Sequence, residues 1–256
     1  MAFEPQTRLD GRIAVITGGT GAIGAATARR LAALGASCVL LHRKDASRAQ
    51  ALLGSLHSTG PQQQHSAVTA DITDSAALRR ASDTVAQRHG RCDILVNSAG
   101  FTRAVPAADL EALDDPLIDS LLQANFRGVI ATIRAFLPLL KASGDGLIAN
   151  VSSIAAFTGV GSNLAYVAAK AGLDVVGDAL AKALAPGIRV VSVSPGAVES
   201  GFVPGRGAPF NAQAAATTPL GRIGHADDVA AAIEALATTL RFVTGTRIVV
   251  DGGRHL

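Results

Sequence analysis

Seven short runs of β-branched and aliphatic residues recur at 12–16, 37–41, 66–70, 94–97, 147–151, 188–193 and 247–250. Alanine-rich, helix-favouring stretches at 25–34, 75–88, 117–137, 166–184 and 227–238 fall between them. Strand, helix, strand, repeated without interruption, requires crossovers, and crossovers make neighbouring strands parallel. A parallel sheet must be covered on both faces, so the alternation predicts an α/β fold with a doubly wound, seven-stranded parallel sheet between two helical layers. No Pro/Ser-rich linker or charge block divides the chain, and one domain over residues 1–256 is expected. The stretch 200–219 lacks periodicity and carries Gly201, Pro204, Gly205, Gly207 and Pro209 around Phe202 and Phe210; it is expected to form a lid-like substrate loop.

A hydrophobic fraction of 48% with 17% charged residues supports a large core and excludes wholesale disorder. The net charge of +3 is too small and dispersed for a nucleic-acid partner, and one Tyr with no Trp leaves little for base stacking. No run approaches the roughly 18 apolar residues of a membrane span, and the opening residues lack a signal-peptide layout, so a cytoplasmic protein without a membrane partner is expected. Cys38 and Cys92 are too few for a disulfide framework and read as small buried hydrophobes. The histidines at 42, 57, 65, 89, 225 and 255 form no recognisable ligand set, which argues against a zinc-dependent alcohol dehydrogenase; no metal is expected.

The first apolar run leads into Thr17, Gly18, Gly19, Thr20, Gly21, Ala22, Ile23 and Gly24, and a helix follows. A glycine turn opening a helix lets backbone N–H groups approach a pyrophosphate, whose charge the helix N-terminus favours. At the end of the second strand, where an NAD site places a carboxylate on the ribose 2′-hydroxyl, this chain has His42, Arg43 and Lys44. Arg43 can pair with a 2′-phosphate through its planar fork, which favours NADP(H) over NAD(H).

Tyr166, the one tyrosine, precedes Lys170 by four positions on a predicted helix, so both lie on one face. A neighbouring ammonium favours phenolate, lowers the phenol from about 10 and makes proton exchange near neutrality feasible. Ser152 and Ser153 close the run 147–151, at the strand end where ligands sit in open parallel sheets. A serine there can bond a carbonyl oxygen or satisfy the turn backbone.

Taken in order, TGGTGAIG from Thr17, ADIT from Ala70, NSAG from Asn97, then Asn125, VSS from Val151, YVAAK from Tyr166, SPGAVES from Ser194 and VDGG from Val250 resemble the short-chain dehydrogenase/reductase family over residues 11–253. The resemblance implies a Rossmann-type fold and hydride transfer between a nicotinamide and a carbonyl or alcohol carbon. It implies Tyr166 as the acid in reduction and the base in oxidation. Lys170 would lower the tyrosine pKa and bond the nicotinamide ribose, Ser153 would hold the substrate oxygen, and Asn125 would position a water in the proton relay. Gly18, Thr20, Gly21, Ile23 and Gly24 would cradle the pyrophosphate, with His42 and Arg43 at the adenosine ribose and Asp71 and Ile72 at the adenine. Asn97, Ala99 and Gly100 would line the cofactor cleft and brace the sheet, while Pro195, Gly196, Val198 and Ser200 would border the nicotinamide.

Three positions depart from the family pattern. Ala22 replaces the middle glycine of TGxxxGxG, which requires a negative φ there. Gly21 stands where NADP-dependent members often carry a basic residue, so the NADP expectation leans on Arg43. Ser200 replaces the usual Thr and keeps the hydroxyl.

Candidate pocket walls are Phe101, Thr102 and Arg103, residues 155–164 and residues 201–210, with Arg103 and Arg206 able to attract a carboxylate or phosphate. The nearest broad likeness is to 3-oxoacyl-carrier-protein reductases and related sugar and alcohol dehydrogenases. The loops where carrier-protein reductases offer arginines carry Gly144 and Gly187 here, with Lys141 and Arg189 nearby, which places a free small-molecule carbonyl ahead of a carrier-bound thioester. A non-catalytic NADP-binding protein is the alternative of another class; such a binder would not need Asn125, Ser153, Tyr166 and Lys170 together. The family implies a homo-oligomer, tetramer or dimer, and the helices bearing Asn125 and Tyr166 are apolar enough for a second packed face.

Overall fold

The computed structural model describes residues 7–256. In it the apolar runs become strands β1 (Ile13–Thr17), β2 (Ser37–His42), β3 (Ser66–Thr69), β4 (Ile94–Asn97), β5 (Gly146–Val151), β6 (Ile188–Pro195) and β7 (Thr246–Val250). They form one sheet in the order β3-β2-β1-β4-β5-β6-β7, and every neighbouring pair is parallel. The period of two along each strand divides its side chains between two cores. Ala14, Ile16, Cys38, Leu40 and Val96 face one core with Leu31 and Ile233. Ile13, Val15, Val39, Leu41 and Leu95 face the other with Val85, Phe136 and Leu173. Burial on both faces explains why these strands read as unbroken apolar runs.

The first core is covered by α1 (Ala22–Ala33), α2 (Ala46–Ser55) and α9 (Ala226–Ala237), the second by α3 (Ser75–His89), α5 (Gly128–Ser143) and α7 (Leu164–Leu184). Carboxylate and amide caps start many of these helices: Asp45 for α2, Asp74 for α3 and Asn163 for α7 each accept a first-turn N–H. From β1 the chain moves outward to β3 and then returns to place β4 on the other side of β1. That reversal opens a crevice at the C-terminal ends of β1 and β4. No helix among the described residues is long and apolar enough to cross a membrane.

The structure differs from the sequence expectation in three places. The stretch 46–55, unassigned from periodicity, is helical because Asp45 caps it. The expected single helix over 117–137 is α4 (Asp115–Leu122) and α5 joined by a π-helical segment, Gln123–Arg127. Within it the Asn125 amide donates to Leu121 O at 3.0 Å, the carbonyl a regular helix would give to the Asn125 N–H. The stretch 200–219 is not wholly irregular, since α8 (Ala208–Ala216) lies inside it. A short helix, α6 (Ala155–Thr158), precedes α7.

Candidate active site

A cleft of about 1480 Å³ runs across the C-terminal ends of the central strands. Pockets for one small ligand usually span roughly 300–1,000 Å³, so there is room here for a dinucleotide and a substrate. Its floor is the glycine turn between β1 and α1. Gly18 has φ +61°, and a Cβ there would lie 2.9 Å from Ala99 Cα. A Cβ on Gly24 would meet Gly18 O at 2.4 Å, so the third glycine lets α1 sit directly on the turn. Among the described residues no side chain caps α1, which leaves its first-turn N–H groups available to an anion at the positive end of the helix. No described residue other than glycine has a positive φ, so Ala22 meets the condition its methyl imposes.

At one end of the cleft stand His42, Arg43 and Lys44 at the tip of β2, with Asp71 and Ile72 after β3. Arg43 is 64% exposed, and its Nη1 is 4.0 Å from Asp71 Oδ2. Burial disfavours the Asp71 charge, yet hydrogen bonds from the Thr73 N–H and hydroxyl, at 2.9 and 2.7 Å, and the nearby Arg43 hold its carboxyl below the ordinary value. Arg48, from the first turn of α2, lines the same end and was missed in the sequence. The Asp45 cap, which accepts the Arg48 N–H at 2.9 Å, is the signal that would have found it.

Ser153, Tyr166 and Lys170 meet at the other end. Asn163 places them: its Oδ1 accepts the Tyr166 N–H at 2.7 Å, while its amide donates to Arg103 O at 2.8 Å and Thr102 Oγ1 at 3.2 Å. The helix therefore begins at a fixed point, with Tyr166 in its first turn and Lys170 one turn later. Lys170 Nζ donates to Val151 O at 2.7 Å and lies 5.7 Å from the Tyr166 ring centroid. Ser153 Oγ accepts the Ala155 N–H at 3.1 Å, so it also performs the turn-satisfying role.

The ammonium does not set the state of the phenol as the spacing suggested. Burial pushes Tyr166 up to about 12, opposed by a hydrogen bond from Ser153 and the charge of Arg206. Burial also pushes Lys170 down to about 8, against the attraction of Asp174. Both shifts have one cause, the loss of water around a charge.

Asn125 and Asn97 do not line the cleft wall. Asn125 is fully buried in the π segment, its amide also bonded to Phe101 O at 2.9 Å, and its Oδ1 has no partner among the described residues. A Cβ on Gly100 would lie 2.4 Å from that oxygen, which explains the glycine. Asn97 is 2% exposed and donates to Asn150 Oδ1 at 2.9 Å, bracing β4 against β5. Gly18, Thr20, Gly21, Ile23, Gly24, Ala99, Gly100, Pro195, Gly196, Val198 and Ser200 all line the cleft as expected.

Four further residues line the substrate end. The Phe202 ring centroid is 6.0 Å from that of Tyr166, and Arg206 sits 4.2 Å over the Phe210 ring. Arg254 donates to Ala214 O at 2.9 Å and Thr217 Oγ1 at 2.6 Å, fastening the C-terminal end of α8. Arg103 does not reach the cleft; it donates to Ala112 O at 2.8 Å.

A family described as enoyl-(acyl carrier protein) reductase matches residues 19–255. The putative ketoacyl reductase 2 of the granaticin polyketide synthase from Streptomyces violaceoruber is 36% identical over 246 residues, 95% of this chain and 96% of the relative. D-threitol dehydrogenase from Mycolicibacterium smegmatis is 36% identical over 252 residues, 96% of this chain and 94% of the relative. A solved short chain dehydrogenase from Burkholderia cenocepacia J2315 in complex with NADP superposes with a TM-score of 0.87 at 36% identity, covering 97% of this chain and 100% of that one.

Proposed function

The chain belongs to the short-chain dehydrogenase/reductase family of oxidoreductases, and from that premise we propose that it transfers a hydride between NADP(H) and a small-molecule carbonyl or alcohol, with Tyr166 as general acid/base. The observation that carries this reading is the meeting of Ser153, Tyr166 and Lys170 at one end of a cleft whose glycine turn and uncapped helix suit a pyrophosphate. The nicotinamide, when bound, supplies or accepts the hydride. The chain's own residues fix the substrate oxygen and manage its proton.

At neutral pH a buried Tyr166 near 12 keeps its proton on Oη, ready for donation to a substrate oxygen in reduction. The phenolate left behind is stabilised by the Ser153 hydroxyl and the Lys170 ammonium, which the Val151 carbonyl holds in place. In oxidation the Ser153 hydroxyl and the charge of Arg206 oppose the burial that disfavours the phenolate. The unpartnered Asn125 Oδ1 would hold a water of the proton relay.

Arg43, Lys44 and Arg48 would hold the 2′-phosphate, Asp71 and Ile72 the adenine, and residues 98–100 and 195–200 the nicotinamide half. The absence of a carboxylate at the tip of β2 and the NADP bound by the Burkholderia relative support NADP(H) over NAD(H). The matched relatives differ in substrate, a ketoacyl group for one and a tetritol for the other, so identity alone does not choose. A free substrate is supported over a carrier-bound thioester because the Arg189 guanidinium is spent on the carbonyls of Leu236, Leu240 and Val243. The reading includes a cytoplasmic homo-oligomer, dimer or tetramer, supported by exposed Val175 on α7 and by β7, an edge strand paired on one side.

The test is oxidation of NADPH and, in parallel, NADH over ketones, aldehydes, keto sugars and 3-oxoacyl thioesters, with the alcohols run in reverse. Turnover with NADPH is expected. Tight NADPH binding with no turnover across a widened panel would favour the non-catalytic alternative.

A further inference from the structure

Arg206 stands at the substrate end of the cleft with no side-chain or backbone acceptor for its guanidinium among the described residues. It is held in place by stacking on Phe210, and the Phe202 ring, which lines the same cleft, lies 6.0 Å from that of Tyr166. The neighbouring Arg254 is committed to Ala214 O, Thr217 and Thr218. The acidic residues in the cleft lining, Asp45 and Asp71, stand at the opposite end. The carboxylates nearest to Arg206 in the sequence and at the chain end are already engaged: Glu199 with Asn211 and His225, and Asp251 with His255 and the Gly253 N–H. A partly desolvated cation, oriented by an aromatic face and lacking a counter-ion, is a binding group for an anion that the protein itself does not supply.

We propose that Arg206 binds a carboxylate carried by the substrate, so that the reaction acts on oxo acids and the corresponding hydroxy acids. This rests on the reductase reading given above. The carbonyl would sit at Ser153 and Tyr166, and a short apolar chain would lie along Phe202 and Phe210 to reach the guanidinium. One planar fork on apolar walls matches the two oxygens of a carboxylate, whereas a phosphate would call for donors beyond that fork; of Arg254, Nη1 is already held by Ala214 O, Thr217 and Thr218. Burial and repulsion from Arg254 both disfavour the Arg206 charge, so an incoming anion relieves a cost that the free protein carries.

The probes are 4-oxopentanoate and its methyl ester, which share the ketone and differ in charge, with dihydroxyacetone phosphate as a third arm. Each is assayed for NADPH oxidation and, in the NADP⁺-saturated protein, for binding by calorimetry. Wild type is expected to prefer the acid over the ester about tenfold in kcat/KM and in Kd, the scale of a charge-assisted hydrogen bond discounted for partial exposure. Arg206→Gln should bring that ratio to about one, and Arg206→Lys should retain part of it; using the ratio cancels any general effect on the surrounding loop. Ester reduced as well as acid, or a ratio unchanged in Arg206→Gln, overturns the inference and leaves the reductase reading standing. Acid bound in an Arg206-dependent way but never reduced upholds the inference and counts against that reading. Failure of both ketones to bind overturns the inference, and preference for dihydroxyacetone phosphate replaces carboxylate by phosphate.

Discussion

Asn163→Ala removes a side chain that is 3% exposed and bonded on both sides, accepting from the Tyr166 N–H and donating to Arg103 O and Thr102 Oγ1. Losing the cap costs about 1 kcal/mol by itself. The groups left behind add to this, at about 1–3 kcal/mol for each buried polar group that finds no new partner. Thr102 keeps its contact with Ser162, and Arg103 is an exposed residue whose bond from Asn163 is only part-buried, so the lower end of that range applies. The sum is about 2–3 kcal/mol, or a fall of about 5–10 °C in Tm for a chain of this size. The same change frees the first turn of α7, which carries Tyr166, and a shift of that ring by a fraction of an ångström is expected to lower kcat about tenfold or more while NADPH binding is kept. Asn163→Ser restores a capping oxygen without the amide donor and should recover about 1 kcal/mol of the loss. Urea titration, thermal scans and steady-state kinetics on the three proteins make the test. A loss below about 0.5 kcal/mol with kcat unchanged would refute the view that this cap sets the position of the tyrosine.

Tyr166→Phe should bind NADPH, as followed by fluorescence titration, while turnover falls by about 10²–10⁴-fold; equal turnover would remove the catalytic assignment. Arg43→Ala should raise KM for NADPH about tenfold more than KM for NADH, a discounted charge-assisted contact for a side chain 64% exposed, and a uniform effect on both would end the 2′-phosphate argument. Lys170 lies near 8 in the folded chain against an ordinary 10.5. Between those values the unfolded chain holds more protons, so the contribution of this group to stability rises with pH and is lost as pH falls through about 8. Urea midpoints measured from pH 7 to 9, below the ordinary tyrosine value of about 10 at which Tyr166 titrates in the unfolded chain and begins to act in the opposite sense, should show this rise in wild type and a flatter course in Lys170→Met.

The strands and their crossovers were legible because burial on both faces leaves a plain mark in sequence, as in IAVIT of β1 and SCVLLH of β2. Tyr166 and Lys170 were legible because their relation is local to one helix. Arg48 escaped because α2 has few buried positions, Ala49 and Leu52, and so a weak apolar period; its cap at Asp45 was the better sign. Asn97 was expected on the cleft wall, but it is the last residue of β4, and its side chain pairs with Asn150 inside the sheet. The direction of the Tyr166 shift depends on how much water the surrounding elements exclude, which spacing along one helix does not encode. Arg254 and His255 reach the cleft from the far end of the chain, a proximity that only the fold creates.

The strand order also sets a timetable for synthesis. Thr17 has its partner Leu41 soon after it is made, and His42 finds Thr69 a little later, so the adenosine side can assemble from the first part of the chain to leave the ribosome. The opposite wall has to wait. Gly196 N donates to Val250 O and Arg254 fastens α8, so the substrate side closes only when the final strand has docked. A nascent chain would thus have much of a nucleotide-binding half before it has a competent reaction chamber, and early ligand capture and late activity become separable events in co-translational folding.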